Sequence, residues 1–229
     1  MKTLITRTLT GIIYLSILGF AFFCSKYALL AVFTVFMLIA LVEYILLAQK
    51  FPEPENVPNL SQKKFVRKLL LPLVWIVSPI LLLEYWCIGL NATPFVVAIF
   101  IIICVNDSLA YVFGSLFGKH KLWVKVSPKK SWEGFWGGLV STMAVSWFFI
   151  KIPYFQNNTF STSYIWVGFA FAVIIAGTFG DFAESMVKRY AQQKDSGGIL
   201  PGHGGILDRI DSMLFAVPVG FIYWVITLI

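Results

Sequence analysis

Three polar clusters interrupt an otherwise apolar sequence, and each carries residue types that handle phosphate or divalent cations. In "DFAESMVKRY", Asp181, Glu184, Ser185 and Lys188 stand at i, i+3, i+4 and i+7, which places them on one face of a helix. In "KDSGGILPGHGGILDRIDS", Gly202, Gly204 and Gly205 permit positive φ and close backbone approach, and they lead into a helix whose first amides have no internal partner. That combination predicts a phosphate cradle. Asp208 and Asp211 follow at i and i+3 beside Ser212, so two carboxylates share a face and can share a cation. The plainer alternatives are a solvated helix extension with internal ion pairs, and acids at a helix N-terminus meeting its dipole. Those alternatives leave the glycines, His203 and Arg209 unexplained.

The third cluster begins at Asp107, about 15 residues into an apolar run, or about 23 Å along a helix rising about 1.5 Å per residue. An ionisable residue there is a functional candidate, with a structural ion pair as the alternative. The loop after it, "GSLFGKHKLWVKVSPKKSWEG", carries Lys119, Lys121, Lys125, Lys129 and Lys130. Ser127, Pro128 and Ser131 give the last lysine pair a defined turn, and Glu133 and Gly134 open the next helix.

The elements that must position these residues follow from composition. Of 229 residues, 59% are hydrophobic and 13% charged, which is the balance of an integral membrane protein. Apolar runs at 9–23, 27–48, 69–90, 92–113, 133–150, 164–180 and 212–228 each approach the roughly 20 residues that a helix needs to cross a bilayer. No alternating pattern of barrel strands is present, so the expectation is an all-α polytopic bundle of about seven transmembrane helices. No small-x-small cleavage site follows the first run, which is therefore expected to stay as a helix. With a cytoplasmic N-terminus and an outside C-terminus, only Lys26 and Lys151 of the 18 Lys and Arg fall outside. The net charge of +7 thus reports membrane orientation, and no nucleic-acid partner is expected.

A single membrane domain is expected, with N-terminal helices over 1–90, a cytoplasmic linker at 49–68 and a catalytic region over 91–229. Cys24, Cys87 and Cys104 are scattered without ligand spacing and read as packing residues. This topology delivers Asp107, Lys129, Lys130, Asp181, Glu184, Asp208 and Asp211 to one membrane face. Carboxylates at cation-sharing spacing, a glycine turn and paired lysines together suit a polyphosphate with Mg²⁺.

The run "SMVKRYAQQKDSGGILPGHGGILDRID", Ser185 to Asp211, resembles the signature of phosphatidate cytidylyltransferases, also called CDP-diacylglycerol synthases. "NDSLAYVFGSLFGKHKL" and "SPKKSWEGFWGG" are similar to two further blocks of that family, so the resemblance covers about residues 92–229. Ser131 stands where the family more often has threonine, which keeps the hydroxyl. The first 90 residues match only in hydrophobic character. The resemblance implies a multi-pass enzyme of the cell membrane that condenses CTP with phosphatidate to CDP-diacylglycerol and pyrophosphate. It implies Mg²⁺, with room for a second cation, and it allows a homodimer. Asp181, Asp208 and Asp211 are assigned to metal, with Asp107 and Glu184 as carboxylates beside it. Lys129, Lys130, Lys188 and Arg209 would neutralise CTP or the lipid phosphate. Ser127, Ser131, Ser185, Arg189 and the turn of Gly202, Gly204 and Gly205 would contact substrate, and His203 would bond phosphate, orient a carboxylate or serve structure. Two rivals stand beside this reading. A cytidylyltransferase acting on another lipid phosphate would keep the same headgroup site. A cation-coupled transporter would place its carboxylates near the midplane, and no internal repeat supports that architecture.

Overall fold

A single non-helical residue divides the first apolar stretch into two helices, α1 (Lys2–Cys24) and α2 (Lys26–Gln49). Ser25 is extended (φ −167°, ψ 157°), and its hydroxyl accepts from the Ala28 amide at 3.1 Å, capping α2. The two helices pack through stacked Tyr14 and Phe36, 5.8 Å between ring centroids, and through Phe22 against Phe33. The computed structural model describes residues 2–52, 70–156, 160–202 and 204–229. His203 and most of the expected linker at 49–68 lie outside the described residues.

The next apolar run is helical but unevenly wound. A short α3 (Ser78–Glu84) is flanked by wider π-helical turns at Leu73–Val77 and Tyr85–Gly89. Pro79 has no amide hydrogen, and the Ser78 amide just before it reaches back five residues to the Leu73 carbonyl. Thr34 ties α2 to α3 by donating to Glu84 at 2.8 Å.

After α4 (Thr93–Phe117) the chain forms an antiparallel hairpin, β1 (Lys121–Trp123) and β2 (Ser127–Ser131), where only a turn was expected. Ser131 caps α5 (Trp132–Ser146), its buried hydroxyl accepting from the Gly134 amide at 3.2 Å. Gly134 and Gly138 bring α5 against the α4 backbone, because a Cβ on Gly138 would stand 2.9 Å from the Ala110 Cβ and 3.0 Å from the Asn106 carbonyl. Two 3₁₀ turns, Phe149–Lys151 and Pro153–Phe155, precede α6 (Ser163–Tyr190). The last helix is α7 (Leu207–Ile226). An aromatic core gathers Phe95, Phe149, Phe160, Trp166 and Phe169, with Phe95 stacked on Trp166 at 5.7 Å.

Among the described residues, α2, α4, α6 and α7 are long and apolar enough to cross a membrane. Thr10–Cys24 and Leu73–Gly89 are shorter apolar helices. The expected span at 133–150 is the 15-residue α5 followed by 3₁₀ turns. At about 1.5 Å per residue it reaches roughly 22 Å, short of a hydrocarbon core of about 30 Å. Of the about seven expected spans, four are helices of full spanning length among the described residues.

The chain forms two compact units, residues Met1–Gly89 with Glu184–Asp211, and residues Leu90–Ala183 with Ser212–Ile229.

Candidate functional site

In the second unit the hairpin sorts the two lysines. Adjacent strand residues point to opposite faces, so Lys129 is exposed while Lys130 turns inward and ion-pairs with Asp181 of α6. The Lys130 ammonium also sits over the Phe182 ring, 4.8 Å from its centroid, and Phe182 packs against Trp123 of the hairpin at 5.7 Å. Asp107 is an exposed residue of α4, and Lys130 and Asp181 are the charged side chains acting on it. Asp107, Lys130 and Asp181 thus form one electrostatic group.

Ser131 is absorbed by the α5 cap, with its side chain filling the space that Gly114, Gly118 and Gly134 leave open. Ser127 is half-buried at the start of β2. The hairpin base is held by a pair that sequence reading did not single out. Glu133 accepts from the His120 amide at 3.1 and 3.2 Å and meets the His120 ring at 2.6 Å. Its own backbone amide and the His120 ring hold the Glu133 carboxyl at about 2, well below the usual carboxylate range.

In the first unit Lys188 is the hub. Its side chain is 12% exposed and lies between Glu184, one turn earlier on α6, and Asp208 Oδ1 at 2.7 Å on α7. Asp208 accepts further bonds from the Gly205 amide at 2.7 Å, and from the Ser196 amide and hydroxyl, each at 3.0 Å. Both oxygens of Asp208 are therefore engaged, and the residue closes the turn at the start of α7. Glu184 differs. Its side chain is 0% exposed and ion-paired with Lys188. A carboxylate oxygen of Asp211 lies within 4.8 Å of one of Glu184. Asp181 precedes Glu184 by one helical turn on α6, on the same face.

Sequence reading places Asp208 with the metal ligands, whereas the geometry gives it to Lys188, Ser196 and Gly205 and puts Glu184 beside Asp211. Ser185 is buried; Arg189 and Arg209 are exposed, Arg189 donating to the Gln193 carbonyl at 3.2 Å.

The glycine-rich turn also differs from the expected cradle. Gly202 and Gly204 do adopt positive φ, +80° and +82°. The first amides of α7, however, already have acceptors. Gly205 donates to Asp208, and the next two amides, Ile206 and Leu207, donate to Glu43 of α2 at 3.1 and 2.8 Å. A buried carboxylate thus takes the amides that follow the turn. Glu43 escaped the sequence reading, although a signal existed: it is the lone charged residue of the run 27–48, the same criterion that singled out Asp107.

The model of the cytidylyltransferase family matches residues 55–227. Among curated proteins, the phosphatidate cytidylyltransferase of Staphylococcus haemolyticus is 45% identical over 121 residues, 52% of this chain and 44% of that protein. That of Haemophilus influenzae is 46% identical over 123 residues, 52% of this chain and 42% of that protein. The chain covers less than half the length of these relatives. The family match takes in the hairpin lysines, the acidic face of α6 and the glycine-rich turn into α7, and on it the chain belongs to the cytidylyltransferase family.

Proposed function

We propose that the chain condenses CTP with phosphatidate to give CDP-diacylglycerol and pyrophosphate at the cytoplasmic side of the cell membrane. The chemistry asks little of the protein in covalent terms. A phosphatidate phosphate oxygen attacks the α-phosphorus of CTP, a new phosphoanhydride bond forms, and the bond from that phosphorus to the bridging β-phosphate oxygen breaks, releasing pyrophosphate. The attacking oxygen is already anionic, so no side-chain nucleophile is required. Alignment and charge neutralisation are.

The observation that carries this reading is a completely buried carboxylate, Glu184, which is ion-paired with Lys188 and has a carboxylate oxygen of Asp211 within 4.8 Å. Two carboxylates this close repel each other, and a cation between them relieves that repulsion. A donor set made only of carboxylate oxygens suits Mg²⁺. Glu184 and Asp211 would hold this ion, which when bound offsets negative charge on the triphosphate. Lys130 would serve phosphate oxygens from its place beside Asp181 and Asp107, and Lys129 is reachable from solvent. Lys188 acts through Glu184 and Asp208, keeping the nearby acids Glu184, Asp208 and Asp211 from repelling one another. Asp208, saturated by hydrogen bonds, holds the turn between Ser196 and α7 in shape.

Purified full-length protein should release pyrophosphate only when CTP, phosphatidate and Mg²⁺ are all present. No release with all three would overturn the proposal, and equal rates with an ether-linked lipid phosphate would widen the lipid class. In intact cells, cysteines placed at Lys125 and Lys194 should be shielded from an impermeant thiol reagent. Labelling of either would put the site on the face that CTP does not reach.

A further inference from the structure

We propose that Glu43 is a positioning residue for the glycine-rich turn, so that α2 is a working part of the site as well as a membrane helix. The inference rests on the proposed CTP chemistry for its kinetic consequence and on geometry alone for its structural one.

Glu43 is 2% exposed, and no described ion pair involves it. A carboxylate buried in an apolar run without a cation must find its stabilisation in hydrogen bonds. Among the described residues it has three partners, all from the segment 196–207. Ile206 donates to one oxygen at 3.1 Å, Leu207 to the other at 2.8 Å, and the Ser196 hydroxyl lies 3.1 Å from Oε2. Two of these are first-turn amides at the positive end of α7, where an anion is favoured. Two glycines are shaped to Glu43. A Cβ on Gly205 would collide with both Glu43 oxygens and the Ser196 hydroxyl, and a Cβ on Gly197 would collide with Glu43 Oε1. Gly198, the next residue, has nothing within 4 Å of a Cβ.

The contact also has a route to the charged cluster. Ser196 Oγ lies 3.1 Å from Glu43 and 3.0 Å from Asp208, and its single hydroxyl proton serves one of them at a time. Asp208 in turn holds Lys188, and Lys188 holds Glu184. Displacing Glu43 would release the N-terminus of α7 and, through Ser196, the carboxylate that sets the lysine. Residue 43 precedes the span 55–227 over which the family model matches, so that comparison does not reach it.

The test compares Glu43→Gln, Gly197→Ala and Gly198→Ala in the full chain. Glutamine keeps the shape but turns one acceptor into a donor facing a backbone amide. Alanine at 197 pushes Glu43 out without altering it, and the same change at 198 meets open space. The direct readout is amide hydrogen exchange over 196–207, which needs no activity. Glu43→Gln and Gly197→Ala should speed exchange at Ile206 and Leu207 by on the order of tenfold or more, leaving 93–117 unchanged and Gly198→Ala like wild type. kcat/KM for CTP should fall by a comparable factor in the first two variants only. If Glu43→Gln does not fold, Gly197→Ala carries the test. Unchanged exchange in Gly197→Ala, or equal effects at 197 and 198, overturns the positioning role. Faster exchange with unchanged CTP kinetics overturns its link to the site. A wild-type protein inactive with CTP refutes the proposed function and leaves the exchange result to decide the geometry.

Discussion

Asp208 and Asp211 share a helix face three residues apart, and replacing each with asparagine should separate a structural carboxylate from a metal-binding one. Asp208 is 8% exposed and takes bonds from Lys188 at 2.7 Å, Gly205 at 2.7 Å, and the Ser196 amide and hydroxyl at 3.0 Å. Asparagine can accept at one oxygen only and turns an NH₂ toward donors, so roughly half of these contacts fail. Hydrogen bonds to a charged group contribute about 1.5 to 3 kcal/mol each, and breaking a buried pair costs about 3 to 5 kcal/mol. The expected loss for Asp208→Asn is therefore about 3 kcal/mol, a fall of several degrees in apparent melting temperature. Asp211 lies near Glu184, a like charge. Its asparagine variant should melt within about 1 kcal/mol of wild type in the absence of metal. Added Mg²⁺ should separate them in the opposite sense. An ion that binds only the folded state stabilises by about 2.7 kcal/mol at one hundred times its Kd. Wild type should show that rise, and Asp211→Asn should lose it. Thermal melts of detergent-solubilised protein, with and without MgCl₂, measure both quantities. A stable Asp208→Asn that loses the Mg²⁺ response, beside an Asp211→Asn that keeps it, would refute the assignment.

Further outcomes follow from other contacts. Lys130→Gln should lower kcat/KM for CTP by at least about tenfold, the scale of a lost charge-assisted bond, while Lys129→Gln should have a smaller effect; matching CTP kinetics would remove Lys130 from the site. Glu133 is held at about 2 against an ordinary 4.5, so its contribution to hairpin stability is complete above about 4.5 and lost as pH falls toward 2. Pepsin should accordingly spare residues 121–131 of wild type at pH values where it cuts Glu133→Gln, and simultaneous cutting of both would deny the His120 pairing its role. Gly138→Ala should destabilise by about 1 to 3 kcal/mol through the Ala110 and Asn106 contacts, whereas Gly19→Ala, with nothing within 4 Å, should gain up to about 1 kcal/mol from helix propensity. Melting curves that rank the two the other way would contradict the close α4–α5 packing.

Local information suffices for much of this protein. Long apolar runs can satisfy their backbone in lipid only as helices, so the helical class and the four full-length spans are legible from composition. Spacing of three and four residues alone puts Asp181, Glu184 and Lys188 on one face, because helical period is a property of the local chain. The family resemblance is legible for the same reason, since it lies in contiguous residues. What spacing cannot assign is the partner of each charge. Asp208 and Asp211 look equivalent as i and i+3, and only the packing of residues 196–205 gives one of them three donors besides Lys188. Lys129 and Lys130 look like a pair, and strand alternation in the hairpin sends them to different surroundings. The glycine turn suggests a phosphate because it leads into the unpaired amides at the start of a helix; Gly205 finds its acceptor nearby in Asp208, but Ile206 and Leu207 do not. The acceptor that takes those two is Glu43, more than 150 residues earlier in the chain. A contact at that separation exists only once α2 is folded against the turn, because nothing in local propensity or period encodes which distant carboxylate will reach an unpaired amide.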